Sequence, residues 1–119
     1  MTGNKHWFEN FKETNNGANL YLGDDKGYQI KGYGNIHVVL HDGNTRHIHN
    51  VMYVPGTKKN LISVSTITDQ NLKVEFYKSY CVIKALLDSM KPIASGIRVR
   101  GLYKLNVKSA PQQKMIFKV

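Results

Sequence analysis

The chain has 119 residues, 41% of them hydrophobic, which suffices for one small domain but not for two independent cores. Its 17 Lys and Arg residues against eight Asp and Glu residues give a formal net charge of +9. No apolar run is longer than that of residues 51–54, which is far shorter than the roughly 18 residues of a membrane-spanning helix. The single cysteine excludes an intramolecular disulfide and a cysteine-based zinc cage.

The N-terminal residues predict a short helical turn, since Asn4 stands where an N-cap would and Trp7, Phe8 and Phe11 are spaced by about one turn. Downstream, Gly, Asn and Asp separate short segments of β-branched and aromatic residues, which is typical of an all-β domain. The strand spacing predicts a small closed or nearly closed β-barrel with one or two short helical turns. The predicted strands are residues 20–22, 28–31, 34–41, 45–53, 61–64, 73–77, 80–84, 93–99 and 102–107.

The best-defined local feature is a β-hairpin at residues 36–48, where Gly43 supplies the positive φ of a hairpin loop. A three-residue loop places Val38 opposite Ile48. The face that we predict to be buried is then formed by Ile36, Val38, Leu40 and Ile48.

The remaining segments predict a second hairpin, a helical turn and a tail. Lys78 and Ser79 connect the strands of the second hairpin, and the helical turn follows residues 61–64 and ends at about Asp69. We interpret Cys81, next to Val82, as a buried and inert thiol. Residues 1–107 form the predicted domain, and residues 108–119 a polar basic tail.

Five segments in this order resemble one family, the retropepsin-like protease segment of copia-type LTR-retrotransposon Pol polyproteins. The similarity covers about residues 1–107. It implies a retropepsin-like β-barrel of aspartic-protease ancestry, between a zinc-knuckle nucleocapsid region and a pre-integrase segment of the parent polyprotein. The segments are Met1-Thr2-Gly3-Asn4 with Trp7-Phe8, Lys31-Gly32-Tyr33-Gly34-Asn35, Asn50-Val51-Met52-Tyr53-Val54-Pro55, Lys59-Asn60-Leu61-Ile62-Ser63-Val64-Ser65 and Gly101-Leu102-Tyr103-Lys104-Leu105.

The same resemblance implies a catalytic Asp-Ser-Gly just upstream of a His-Met-Thr-Gly-Asn stretch, and this chain begins at the Met. Neither Asp-Ser-Gly nor Asp-Thr-Gly occurs in residues 1–119. A retropepsin needs two aspartates that share a proton, so we predict no catalytic residue in the chain. Asp42 and Asp88 lie on a hairpin tip and in a loop. Asp24 and Asp25 are interpreted as surface turn residues, because neighbouring strand residues point to opposite faces.

Four of the five histidines, His37, His41, His47 and His49, lie on the first hairpin, on the face opposite the predicted core. The three-residue loop places His37 across from His49, and such cross-strand pairs hold Zn²⁺ or Cu²⁺. We favour a solvated face over a metal site or a pH-dependent basic surface. We therefore predict no metal and no cofactor, and His37, His47 and His49 remain the candidate ligands.

The net positive charge is confined to the C-terminal half of the chain. Residues 1–57 carry five basic and five acidic residues, whereas residues 58–119 carry twelve and three. With the tyrosines of the same half, this indicates a surface for RNA or DNA, and solubilising charge is the competing interpretation. The candidate nucleic-acid residues are Lys58, Lys59, Arg98, Arg100 and Lys104. Gly32 and Gly34 predict a strand bend or bulge rather than a phosphate loop.

The leading functional hypothesis is a non-catalytic, truncated or domesticated domain of a Pol polyprotein that acts as a folding and assembly module. The alternatives are a weak, sequence-independent nucleic-acid-binding module and part of a dimeric aspartic protease whose catalytic segment lies upstream. The expected partners are other Pol polyprotein segments, RNA or DNA, and a second copy in a homodimer, without a membrane. The N-terminal residues lack a secretory signal pattern, which predicts the cytoplasm, with the nucleus as the alternative.

Overall fold

The computed structural model describes residues 1–14, 18–21, 26–40, 43–109 and 114–119, including side chains except those of 108, 109 and 114–117. More than half of these residues lie in strands and few lie in helices, which confirms the all-β class. One 3-10 turn, Lys5–Trp7, follows Asn4, and the α-helix α1 is Val64–Thr68. The strands are β1 Phe8–Glu13, β2 Asn19–Tyr21, β3 Gly27–Gln29, β4 Gly32–Val39, β5 Thr45–Tyr53, β6 Leu72–Phe76, β7 Tyr80–Ala85, β8 Lys91–Val99, β9 Leu102–Ser109 and β10 Lys114–Lys118.

Eight strands form one antiparallel sheet in which the order β1-β4-β9-β8-β7-β6 is extended by β5 on β4 and by β10 on β9. Strands β2 and β3 pair separately. The predicted closed barrel is wrong for the described residues, because β6 pairs with β7 and with no strand of the β1–β5 group. Helix α1 contacts both β5 and β6 and thus occupies the space across which the sheet would have to close.

The first hairpin forms as predicted, but its register differs by two residues. Ile36 lies opposite Ile48, and Val38 lies opposite Arg46 rather than opposite Ile48. Because side chains alternate with a period of two, a shift of two residues leaves every side chain on its predicted face. The predicted buried face is accordingly confirmed, with Ile36, Val38, Leu40 and Ile48 all less than 10% exposed.

The register follows from the position of Gly43, which has a φ of +86°. Three-residue hairpin loops place their left-handed residue last. Gly43 therefore requires Leu40 and Asn44 to close the hairpin, and the Leu40 N–H donates to the Asn44 carbonyl at 2.8 Å. The predicted pairing of Val38 with Ile48 puts Gly43 in the middle of the loop instead of at its end, and this explains the difference of two residues in the register.

Two β-bulges face the centre of β4, one on β1 and one on β5. On β1 the register shifts between Glu9 and Lys12, and on β5 it shifts opposite Gly34 and Ile36. Asn10 and Asn50, in the bulged segments, have φ values of 53° and 57°. The bulges thus lie on the strands beside the glycine strand rather than in it. A Cβ atom on Gly34 would lie 2.7 Å from the Phe8 ring, so this glycine permits the close approach of β1.

Strand β1 is absent from the sequence prediction, because the bulge at Asn10 gives Phe8 and Phe11 a helix-like spacing. The residues predicted as strand 61–64 also differ. Leu61 forms only an isolated bridge to Lys118, and α1 begins at Val64 with the Ser63 side chain accepting from the Thr66 N–H. The predicted second hairpin is confirmed, with Lys78 and Ser79 between β6 and β7.

The C-terminal residues pair with the sheet. Strand β10 runs antiparallel to β9, with Lys118 opposite Lys104, whereas the sequence predicts a polar tail from residue 108. The apolar run Met115-Ile116-Phe117 has a high strand propensity. Because the residues before it are polar, the average composition of residues 108–119 does not show this propensity. The domain boundary at residue 107 stays a prediction.

Two clusters of buried side chains hold the structure together. The larger lies between the sheet and α1, and includes Ile67 of the helix. The smaller, Met1, Ile30 and Val54, ties the N-terminus to the β2–β3 pair. The larger cluster consists of Ile36, Val38, Leu40, Ile48, Val51, Ile67, Leu72, Cys81, Ile83, Ala85, Ile93, Ala94, Leu105 and Val107.

Candidate functional site

The candidate nucleic-acid residues fall at separate places in the structure. Lys58 and Lys59 are exposed in the loop between β5 and α1. Arg98 is exposed near the end of β8, and Arg100, with a φ of 52°, forms the turn into β9. Lys104 is half-buried on β9 and lies on the face opposite Arg98, since Arg98 pairs with Tyr103 whereas Lys104 pairs with Ile97.

A row of four directly opposed residues crosses strands β7 to β10 on the outer face of the sheet. Tyr80 lies opposite Ile97, Ile97 opposite Lys104, and Lys104 opposite Lys118. Ile97 is 68% exposed and Tyr80 is 44% exposed, a large apolar exposure for a sheet face. We call these four residues the outer row. It combines an aromatic ring, an aliphatic side chain and two ammonium groups.

The two lysines of the outer row repel each other, because like charges directly opposite on neighbouring strands are destabilising. Residues 89–119 contain no Asp or Glu. The same sheet contains a compensated counterpart, in which Lys73 lies opposite Lys84 and both contact Glu75, at 3.6 and 2.6 Å. The outer row thus has the positive charge without a carboxylate on its own strands.

Glu75 is the electrostatic centre of the compensated pair. The Lys84 ammonium donates to its carboxylate and holds the pKa of Glu75 below its usual value. The same contact raises the pKa of Lys84. These charges stabilise the hairpin β6–β7 and are already matched, so they are poor candidates for binding an anion.

The loop that carries Lys58 and Lys59 adjoins the outer row. The Lys118 N–H donates to the Asn60 carbonyl at 2.8 Å, and the Ile62 N–H donates to the Lys118 carbonyl at 3.0 Å. The structure thus brings this basic loop to the Lys118 end of the outer row. Lys118 belongs to the basic residues of the charged half, but the sequence does not indicate that β10 pairs with β9, and Ile97 is not predicted as a site residue.

At the other end of the outer row, Tyr77 and Tyr80 stack with their ring centroids 4.6 Å apart. The Tyr103 hydroxyl donates to the Tyr77 carbonyl at 2.7 Å, and the Arg98 guanidinium donates to the Lys78 carbonyl at 3.2 Å. These bonds fix the turn that carries both rings. Tyr77 and Tyr80 therefore form one ordered surface, which we call the tyrosine platform.

The histidines on the first hairpin do gather on one face. His37 lies opposite His47, not opposite His49 as predicted, because of the shift in register. The His37 and His47 rings stack at 4.5 Å, and the His47 and His49 rings are 6.0 Å apart. His49 Nδ1 hydrogen-bonds to the Asn35 side chain at 3.2 Å. His41 lies outside the described residues.

A carboxylate that the sequence reasoning missed joins these histidines. Glu9 Oε1 lies 3.5 Å from His37 Nδ1. Glu9 pairs with Asn35, two residues before His37, and so lies on the same face. No sequence signal linked Glu9 to the hairpin, since β1 itself was not predicted.

The aspartates considered as catalytic candidates do not form a pair among the residues that the structure describes. Asp24, Asp25 and Asp42 lie outside the described residues, and Asp88 is exposed in the turn after β7. Cys81 is completely buried, as predicted, and burial raises the pKa of its thiol. In the described part of the chain, no helix has the length and apolar character needed to cross a membrane.

Comparison with known proteins identifies the first three-fifths of the chain. A family model described as the Pol polyprotein beta-barrel domain matches residues 1–72. Searches of curated proteins and of solved structures gave no significant match. The match confirms the resemblance at the level of a Pol polyprotein, whereas the copia-type assignment stays a prediction. The outer row, at residues 80–118, lies beyond the matched segment.

Proposed function

The chain belongs to the Pol polyprotein β-barrel domain family, and we propose that it acts as a non-catalytic folding and assembly module that binds single-stranded nucleic acid through the outer row. The observation that carries this proposal is the direct opposition of Lys104 and Lys118 beside exposed Ile97 and Tyr80. The copia-type assignment belongs to the same proposal and rests on the ordered sequence motifs.

The charge of the surface favours a polyanion over a second copy of the chain. Two lysines held opposite each other lose repulsion when a phosphate group lies between them, and the +9 chain as a whole attracts a phosphate backbone. Two copies docked through this face would instead bring four of these lysines together. The homodimer is therefore the less favoured partner.

The aromatic end of the row supplies a second type of contact. Nucleic-acid bases stack on aromatic side chains without sequence preference, at about 1–3 kcal/mol per base. Tyr80 is exposed and its partner Tyr77 is fixed through its backbone, so stacking here orders few additional side chains. Lysines at one end and a tyrosine platform at the other favour a flexible single strand over a rigid duplex.

The test is fluorescence anisotropy with a labelled oligouridine at several salt concentrations, using the full chain. Binding should be weak and should decrease steeply with salt. Lys104→Glu/Lys118→Glu should weaken it and lower the slope of log affinity against log salt by about 1.4, because each phosphate neutralised on a single strand contributes about 0.7 to that slope. Lys12→Glu/Lys31→Glu, two exposed lysines of the neutral half, make the same charge change away from the row.

The outcomes separate the candidate functions. Equal loss of affinity in both double variants would show that only net charge acts and would contradict a site at the outer row. Absence of binding at low salt would remove the nucleic-acid role. Sedimentation of the wild type should give a monomer, and a dimer abolished by Ile97→Asp would instead assign the face to self-assembly.

A further inference from the structure

A second group of side chains, on the opposite part of the sheet, has the composition of a metal site. Glu9 on β1, His37 on β4 and His47 on β5 come from three adjacent strands and share one face, as their pairing registers require. One ligand atom from each of the three side chains lies within 4.8 Å of the other two. Two imidazoles and a carboxylate form a ligand set that Zn²⁺ accepts, with a fourth position open to water.

The spacing of the ligand atoms is close to what zinc requires. At zinc bond lengths of about 2.0–2.2 Å, tetrahedral ligand atoms lie about 3.3–3.6 Å apart. Glu9 Oε1 and His37 Nδ1 already lie 3.5 Å apart. His47 and Glu9 are exposed, so small side-chain rotations close the remaining distance without moving the strands.

His37 also has a polar atom that the fold leaves without a partner. Its Nε2 is buried and forms no hydrogen bond with any described residue. Buried polar atoms are satisfied in most native structures, and an exception calls for a specific explanation such as a bound ion. A single ion binds only one nitrogen of an imidazole ring, so His37 offers two alternative ligand atoms: Nδ1, which lies beside Glu9, or the unpartnered Nε2.

His49 is less suited to be a ligand, although it lies on the same strand. Its Nδ1 is engaged with the Asn35 side chain at 3.2 Å. The backbone bulge at Asn50 follows it directly and changes the course of the strand. The ligand set that the contacts support is therefore Glu9, His37 and His47.

We propose that Glu9, His37 and His47 bind one zinc-class divalent transition-metal ion on the outer face of β1, β4 and β5. The two imidazoles are neutral in the bound state and the carboxylate carries the compensating negative charge. The site lies within residues 1–72 and is separate from the outer row, so the nucleic-acid proposal can fail while this one holds.

The test is calorimetric titration of the full metal-free chain with zinc chloride, with magnesium chloride as the hard-cation control. The expected result is one Zn²⁺ per chain and no Mg²⁺ binding. Glu9→Gln and His37→Gln should each weaken zinc binding at least about tenfold, because even the loss of a residue that only hydrogen-bonds to a ligand typically costs that much. His6→Gln removes an exposed histidine outside the cluster and should leave the affinity unchanged.

Nuclear magnetic resonance of the wild type gives a readout that does not depend on a variant folding. Zinc should shift the imidazole signals of His37 and His47 and leave those of His6 in place. Absence of stoichiometric zinc binding would overturn the proposal. So would an unchanged affinity in both Glu9→Gln and His37→Gln, or an equal loss in His6→Gln.

Discussion

Gly96 lies where three strands of the sheet approach one another closely. It lies opposite Cys81 on one side and Leu105 on the other. A Cβ atom there would lie 2.9 Å from the Lys104 carbonyl oxygen, 3.0 Å from Cys81 Sγ and 3.1 Å from a Leu105 methyl group. The absent side chain thus lets β8 approach its neighbours and completes the burial of the cysteine.

We expect Gly96→Ala to lower the free energy of unfolding by about 1–3 kcal/mol, the usual cost of inserting a methyl group into a packed core. Urea denaturation followed by circular dichroism measures it. Ser95→Ala, an exposed position next to Gly96 on the same strand, should change stability little. Equal stability of both variants would mean that the strands separate easily at this point.

The lowered pKa of Glu75 makes the free energy of unfolding depend on pH in the acidic range. Its pKa is lowered in the folded chain by the hydrogen bond and charge of Lys84, so the folded state binds its proton less readily than the unfolded state. The stabilisation is complete above the unfolded value of 4.5 and is lost as the pH falls through the lower folded value. Thermal unfolding between pH 6 and pH 3 should show a steeper loss in wild type than in Glu75→Gln. Parallel pH profiles would contradict this.

At the scale of elements, the sequence predicts strands well where the two-residue period is unbroken and poorly where a bulge interrupts it. The hairpin β6–β7 is regular, and the structure confirms its predicted position. The bulge at Asn10 gives Phe8 and Phe11 a helix-like spacing, so the sequence predicts no strand there and does not indicate that Glu9 lies beside His37. Propensity reports local conformation only, whereas the bulges follow from long-range pairing with β4.

The bulge on β5 predicts that two substitutions of Asn50 differ in their effect on stability, and one serves as the control for the other. Asn50 has a φ of 57°, a left-handed conformation that Asn and Gly adopt and Ala resists. Asn50→Ala should destabilise the domain by about 1–2 kcal/mol, whereas Asn50→Gly should not. Chemical denaturation of the two variants gives the comparison. A similar loss in both would indicate that the Asn50 side chain, and not its backbone conformation, is what matters.

For the whole molecule, the sequence identifies the all-β class and the family, but not which surfaces form. The outer row requires β10 to lie on β9, and the histidine cluster requires β1 to lie on β4. In both pairings, neither segment has a sequence pattern that indicates which strand it will pair with. Of the five predicted basic residues, only Lys104 lies in the outer row.

The same sequence reasoning predicts that the chain as given does not cleave peptides between pH 4 and pH 7. Neither catalytic aspartate motif occurs in it, and a retropepsin needs two aspartates that share a proton. A fluorogenic peptide assay with and without pepstatin tests this, with pepsin as the positive control. Pepstatin-sensitive cleavage that is lost in Asp24→Asn or Asp25→Asn would contradict it.

The two ends of the chain are held by one short segment. The Met1 amino group donates to the Leu61 carbonyl at 2.7 Å, and the Lys118 N–H donates to the Asn60 carbonyl. Residues 1 and 119 therefore lie on the same side of the domain, and a few glycines should suffice to join them. A circular permutant opened between Lys78 and Ser79 should then unfold cooperatively with a circular dichroism spectrum like that of the parent. Sequences fused before residue 1 and after residue 119 would likewise leave the domain from neighbouring positions on the same side.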